Sequence, residues 1–371
     1  MIDSNKGGKG ASLELLPRPR TIFRDQDVGL LSRGDGHYIV AALHATGTCG
    51  VYELQRFDSA SKTWSAAEVP LVEPQDKFPR RIPMNSSRIL FHLTSIVIPI
   101  GGEGGTMGWV DLWRGALLCD VLVPEPKLRG VPVPLPTELL NSDYGQGAKL
   151  FCPQSLRGIT FVNKPGMEHC LRFVHLEPTP TPIPPEDSDD SDDGEFPDWA
   201  LRDWKVTTWS NSKMTTSWND WKIDCAIQAS KTNISSKLKW KMAQSGLLSS
   251  ERAFQNLLVS FPAPGMDDNV VYLQAKVKFS DSKVFVLALD VKDNMLLNVV
   301  EFANERICGA GVAYFPSNIG RYIDPEARVL FPEDDDSWEV SKYEGTETRQ
   351  LPRYKICFPW GKSVNDAGTA S

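Results

Sequence analysis

The chain has 371 residues, of which 41% are hydrophobic and 23% are charged, a composition typical of a globular protein with one large domain or two. The formal net charge is -7, so duplex nucleic acid is not an expected partner, because binding to phosphates needs a basic face. The longest apolar run, residues 95–100, is too short to span a bilayer. The polar first residues do not predict a secretory signal. We therefore expect a cytoplasmic or nuclear protein with no membrane partner.

Cysteine and histidine residues give no sign of a disulfide framework or of a metal site. The seven cysteines are widely spaced and include no Cys-x-x-Cys pair, which favours reduced thiols. The five histidines form no His-x-x-x-His pair and no cluster with cysteine. We therefore predict no metal and no cofactor for this chain.

Motifs of nucleotide binding and of nucleophilic catalysis are also missing from the sequence. The glycine-rich segment 101–108 lacks the Gly-Lys-Ser/Thr ending of a phosphate loop, so we interpret it as a loop between two strands. No Gly-x-Ser-x-Gly segment occurs. The sequence therefore points to no catalytic residue and favours a non-enzymatic role, although a triad built from distant residues would leave no local signature.

Short apolar and alternating segments predict β-strands along most of the chain. They group into units of three or four strands that span residues 38–71, 89–135, 158–221 and 257–300, and a fifth unit begins at residue 311. Each unit has the size of a propeller blade with loop insertions. We therefore predict an all-β fold of degenerate β-propeller-like repeats, with a β-sandwich pair as the alternative. One short helix is expected over residues 250–257.

Composition divides the chain into one β domain, an insertion within it and two tails. The predicted parts are a disordered N-terminal tail 1–21, the first part of the β domain 22–177, a disordered insertion 178–197, the remainder of the same β domain 198–332, and an acidic, poorly ordered C-terminal tail 333–371. The insertion is rich in proline and then acidic, with seven carboxylates in residues 186–195, too polar to fold. Ser188 and Ser191 are flanked by aspartates there and are candidate phosphorylation sites.

Five tryptophans are close together in the sequence and form one candidate interaction surface. They are Trp199, Trp204, Trp209, Trp218 and Trp221. Aromatic side chains are enriched at interaction hot spots, which supports a role in recognition. The alternative is that these side chains fill the gaps between repeats, with indole N–H groups bonded to strand carbonyls, because their spacing mixes both faces of a strand.

Three lysines extend this candidate surface. Lys237, Lys239 and Lys241 alternate with Leu238 and Trp240. Alternation predicts an edge strand that has the lysines on one face and the apolar side chains behind. A strip that binds phosphate or acidic groups is the alternative, and the acidic run of the chain itself is one such group.

Several segments carry recognisable motifs. The most specific is GWVDLWRGALLCDVL at 108–122, and the others are DVGLL at 27–31 with DGHYIVAAL at 35–43, DWKVTTW at 203–209 with WNDWKID at 218–224, and FPSNIGRY at 315–322. Taken in their order along the chain, these segments resemble the blocks of a plant family known as domain-of-unknown-function family 1618. The family is best populated in grasses, so the resemblance implies a plant origin. It implies no particular activity. Relatives usually carry a further upstream segment, so the repeats are expected to be incomplete at the N-terminus.

Within the most specific motif, Trp109, Asp111 and Trp113 share one face of a predicted strand, and that face is expected to lie in the core. A buried Asp111 needs a partner, and Arg114 is the candidate nearest in sequence.

Rigid repeats with variable loops favour recognition, so the predicted function is a non-enzymatic protein–protein interaction module. One alternative is a propeller enzyme or small-ligand binder that uses a central channel lined by polar residues from several repeats. A second alternative is a degenerate family member without retained activity. The partner protein and the oligomeric state are not predicted.

Overall fold

The structure, a computed structural model, describes residues 15–77, 92–134, 153–163, 168–182, 199–250, 252–265, 269–277, 281 and 283–302. All of them belong to one compact unit, Leu15–Phe315. Several predicted features lie outside the described residues: tail residues 1–14, the acidic run 186–195 with Ser188 and Ser191, the fifth unit from 311, and the C-terminal tail 333–371.

The described residues form sixteen strands, which group into four consecutive antiparallel meanders of four strands each. Meander 1 comprises β1 (Val28–Gly34), β2 (His37–Ala45), β3 (Val51–Asp58) and β4 (Thr63–Glu73). Meander 2 comprises β5 (Ile96–Gly101), β6 (Thr106–Asp111), β7 (Gly115–Asp120) and β8 (Leu128–Pro132). Meander 3 comprises β9 (Arg157–Val162), β10 (Cys170–Pro182), β11 (Trp199–Asn211) and β12 (Lys222–Gln228). Meander 4 comprises β13 (Leu258–Pro264), β14 (Val270–Lys276), β15 (Val284–Asp290) and β16 (Met295–Phe302).

Successive meanders are joined through their first strands and, in one case, through their last. Strand β1 contacts β5, β5 contacts β9, and β9 contacts β13. Strands β4 and β8 also pair in parallel, Leu71 with Leu128 and Glu73 with Arg129, so that meanders 1 and 2 form a nearly closed, barrel-like sheet of eight strands. Adjacent first strands are typical of propeller blades.

Meander 2 buries both of its faces. Trp109 packs in a core shared with Leu54 of meander 1, and its neighbour Val110 packs in a core shared with Phe173 of meander 3. Adjacent residues of a strand point to opposite faces, so meander 2 lies between meanders 1 and 3. A sandwich buries only one face of each sheet. The all-β prediction is confirmed, and the repeats stack as propeller-like blades do.

Aspartate side chains close hairpins in several meanders. Asp58, at the end of β3, accepts a hydrogen bond from the backbone N–H of Ala60 (2.8 Å). Asp290, at the end of β15, accepts one from the N–H of Lys292 (2.9 Å), and Asp111 caps the turn between β6 and β7 in the same way. These bonds stabilise a tight reversal of the chain, which is why each strand ends at its aspartate.

The glycine-rich segment is the predicted loop between two strands, since β5 ends at Gly101 and β6 begins at Thr106. The helix predicted over 250–257 is wrong except for one 3-10 turn, Phe254–Asn256. Phe254 and Leu257 are both buried, and this turn places them in the core directly before β13. The α-helix of the described residues is α1, Ser236–Gln244.

Two described segments lie within regions predicted to be disordered. In the N-terminal part, Thr21 donates to Glu53 (3.1 Å) and Trp64 Nε1 donates to the carbonyl of Pro17 (2.7 Å). Strand β10 continues to Pro182, which pairs with Trp199 of β11. The chain therefore leaves meander 3 after Pro182 of β10 and returns to it at Trp199 of β11.

Candidate functional site

A row of three polar side chains crosses meander 3 on the face that packs against meander 2. His175 of β10 lies opposite Arg157 of β9 and opposite Thr207 of β11. Residues paired across strands point to the same face of a sheet. Arg157, His175 and Thr207, here named the polar row, are 1%, 0% and 4% exposed.

The guanidinium of Arg157 is fixed on three sides. Its Nε donates to His175 Nδ1 (3.3 Å), and its Nη1 donates to the carbonyl of Leu112 in meander 2 (2.9 Å). Its Cζ lies 4.0 Å from the centroid of the Trp113 ring, a cation–π contact. Because Nδ1 of His175 accepts, the neutral imidazole carries its proton on Nε2.

Burial controls the protonation of the polar row. It lowers the pKa of Arg157 to about 9, and the negative charge of Asp111 opposes this shift. Burial, with the charges of Arg157 and Lys205, holds the pKa of His175 well below its usual value of 6.5. His175 is therefore neutral at physiological pH. The next cross-strand pair, Glu177 and Lys205, is a partly exposed ion pair with an N–O distance of 3.6 Å.

Asp111 is buried, 2% exposed, and finds its partners in the backbone. Its carboxylate accepts hydrogen bonds from the N–H groups of Leu93 (2.8 Å), Trp113 (2.8 Å) and Arg114 (3.3 Å). Burial raises the pKa of Asp111 to about 6, while these bonds and the charge of Arg114 oppose the rise. The sequence pointed to Arg114 as a partner, and Arg114 contributes both an N–H group and a charge.

The tryptophans of the candidate interaction surface lie mostly between elements. Trp204 is fully buried, with its ring 5.3 Å from that of Phe254. Trp209 and Trp221 both contact the ring of Phe173.

The indole N–H groups of two of these tryptophans bond to backbone carbonyls. Trp221 donates to Pro132 (2.6 Å), and Trp218 donates to Asp76 (3.0 Å). Trp199 belongs to β11, but its side chain lies outside the described residues. These contacts match the alternative in which the tryptophans fill gaps between repeats.

The edge strand predicted for the three lysines is wrong, because this segment is helix α1. Ser235 caps the helix by accepting a hydrogen bond from the N–H of Leu238 (3.3 Å). The segment that follows, SKLKWKMAQ, contains helix formers and no β-branched residue. Lys237, Lys239 and Lys241 therefore do not share one face, as they would on a strand.

Helix α1 has a buried face and an outward face. Met242 is buried and Leu238, one turn before it, is partly buried. Trp240 lies on the opposite side and is 63% exposed, with exposed Lys237 and Lys239 on its two flanks. Lys241 turns back to donate from Nζ to the carbonyl of Val299 on edge strand β16 (2.7 Å).

Fold and site together define an all-β protein of stacked four-stranded meanders, with a buried polar row and a basic, aromatic helix face. In the part of the chain that the structure describes, no group of three or more His, Cys, Asp or Glu residues is placed to hold a metal. No helix there is long and apolar enough to cross a membrane.

Residues 109–272 match the model of a family described as "Protein of unknown function (DUF1618)". The resemblance carried by the motifs at 108–122 and 203–224 is thereby confirmed over this span. Comparison with the curated proteins finds no match.

The sequence did not point to the polar row. A partial signal exists for His175, which continues the buried face of Leu171 and Phe173 at every second position of β10. Arg157 and Thr207 give no such signal, because only the register of β9, β10 and β11 brings them beside His175.

Proposed function

We propose that this protein is a recognition module whose outward face of α1 binds an acidic segment of another protein. The observation that carries the proposal is the exposure of Trp240, whose side chain is 63% accessible on a helix that begins and ends within the described residues. A large aromatic side chain at the surface is the residue type most enriched at binding hot spots.

Charge supports the choice of partner. The chain as a whole has a net charge of -7, yet Lys237 and Lys239 flank Trp240 and no ion pair joins either of them to another described residue. Lysines on both sides of an exposed indole complement carboxylates, which would accelerate association and select against basic partners. Two ammonium groups and one ring therefore fit an acidic peptide that carries an apolar side chain.

Comparative affinity capture from an extract of the source organism tests this proposal. The variant combines Trp240→Ala with Lys237→Glu and Lys239→Glu, all at exposed positions. Loss of one aromatic hot spot costs about 2 kcal/mol or more, which corresponds to roughly thirtyfold weaker binding. We expect proteins captured by the wild type to be lost from the variant and to bear acidic segments.

A matched control comes from β12, where Lys222 and Ile223 are also exposed, Ile223 by 67%. The pair Lys222→Glu and Ile223→Ala reverses one lysine charge, where the α1 variant reverses two, and removes exposed apolar area away from α1. It should capture the same proteins as the wild type. Equal capture by the α1 variant and the wild type would refute the proposal.

A further inference from the structure

Three hydrogen-bonding groups of the polar row have no partner. They are Nη2 of Arg157, Nε2 of His175 and Oγ1 of Thr207. Buried polar groups in folded proteins are almost always satisfied by protein, water or ligand, so three unpaired groups on one cross-strand row call for a missing partner.

The unpaired groups are donors. Arginine has donors only, and Nε2 of His175 carries the proton because Nδ1 accepts from Arg157. The hydroxyl of Thr207 can donate as well. A partner that satisfies all three must therefore offer several acceptors, as the oxygens of a phosphate or a carboxylate do.

Charge also points to an anion. Arg157 is 1% exposed and forms no ion pair with any described residue. Asp111 acts on it only at longer range and uses its oxygens for three backbone N–H groups. A buried guanidinium without a close counter-ion is costly, and an anion beside Nη2 would offset that cost.

We infer that the polar row is a binding site for a small oxyanion, a phosphate or carboxylate group, between meanders 2 and 3. Arg157 supplies the charge and one donor, and His175 and Thr207 supply the other two. The next cross-strand pair, Glu177 and Lys205, continues the row and is partly exposed.

Thermal unfolding of the full chain in increasing inorganic phosphate, and separately in sodium acetate, tests the inference. Sodium chloride at equal ionic strength is the reference. A ligand that binds only the folded state raises Tm with its concentration, so a rise above the chloride reference is expected with at least one anion. Salts such as phosphate also raise Tm by exclusion from the protein surface, so the anion whose rise depends on the hydroxyl of Thr207 identifies the oxyanion class.

Thr207→Val is the informative variant, because it keeps the shape of the side chain and removes only the hydroxyl. It should fold at least as well as the wild type without ligand, since it deletes an unpaired buried group. It should bind the anion about tenfold more weakly, the worth of one hydrogen bond to a charged group.

Thr208→Val is the matched control. Thr208 is the next residue of β11, is 2% exposed, and points to the opposite face, where its hydroxyl donates to the carbonyl of Cys225 (3.4 Å). This variant should lose some stability but keep the full response to the anion. No rise with either anion in the wild type, or equal responses of the two variants, would overturn the inference.

Discussion

Buried ionisable side chains in meanders 2 and 3 are held by neighbours that fix their protonation. Asp111 binds three backbone N–H groups, and His175 accepts from Arg157. The pKa of His92 falls to about 3 through burial, with the charges of Arg114 and Arg24 contributing. Each of these groups titrates differently in the folded and the unfolded chain, so each links folding to pH.

We predict that stability falls as the pH drops from about 6.5 to about 4. His92 and His175 have lowered pKa values in the folded protein, so the unfolded chain takes up protons first as the pH falls. The stability that these two neutral histidines contribute is therefore lost in acid. Asp111 has a raised pKa of about 6, so its contribution grows as the pH falls. Two histidines against one carboxyl leave a net loss of stability as the pH falls.

Urea unfolding at several pH values measures this dependence. His175→Gln should flatten the curve because it removes one of the two groups that lose stability in acid. His37→Gln, at an exposed position of β2, should leave the slope unchanged. A free energy of unfolding that stays constant or rises as the pH is lowered from about 6.5 to about 4 would contradict the expectation.

Among the elements, the β6–β7 hairpin depends on a glycine in a tightly packed turn. Gly115 has φ +149°, a backbone conformation that L-residues rarely adopt, and a Cβ there would lie 2.3 Å from the carbonyl oxygen of Val131 on β8. Asp111 and Gly115 face each other at the closing end of the hairpin. The turn and the approach of β8 therefore both require a glycine at this position.

Gly115→Ala should destabilise the protein by about 3 kcal/mol, the sum of a strained backbone and a forced displacement of β8. The free energy of unfolding in urea measures the loss. Gly47→Ala is the control, since Gly47 has no positive φ and its Cβ would meet nothing within 4 Å. Equal stabilities of the two variants would show that the hairpin tolerates a side chain.

Helix α1 shows where an element could not be predicted from a short pattern. Alternation of lysine with Leu238 and Trp240 fits a strand over five residues, but Leu238 and Met242 also stand one helical turn apart. The side chain of Ser235 favours the helix because it accepts a hydrogen bond from the N–H of Leu238. This bond depends on local backbone geometry that the alternation does not reveal.

At the scale of the whole molecule, the repeats could be predicted because each meander contains its own turns and strand periodicity. The stacking order follows from chain order, and the burial of both faces of meander 2 follows from the stacking. The polar row could not be predicted, because Arg157 and Thr207 are 50 residues apart in numbering and meet only through His175. Register between strands, which sets such contacts, leaves little trace in local sequence.

The most direct test of the recognition role is zero-length carbodiimide cross-linking of the captured complex, which joins lysine amines to carboxylates, followed by mapping of the linked peptides. The proposal predicts links from Lys237 or Lys239 to Asp or Glu residues of another protein, and none from Lys222, which is exposed on β12. A captured partner whose links avoid α1 and concentrate elsewhere on the chain would contradict it.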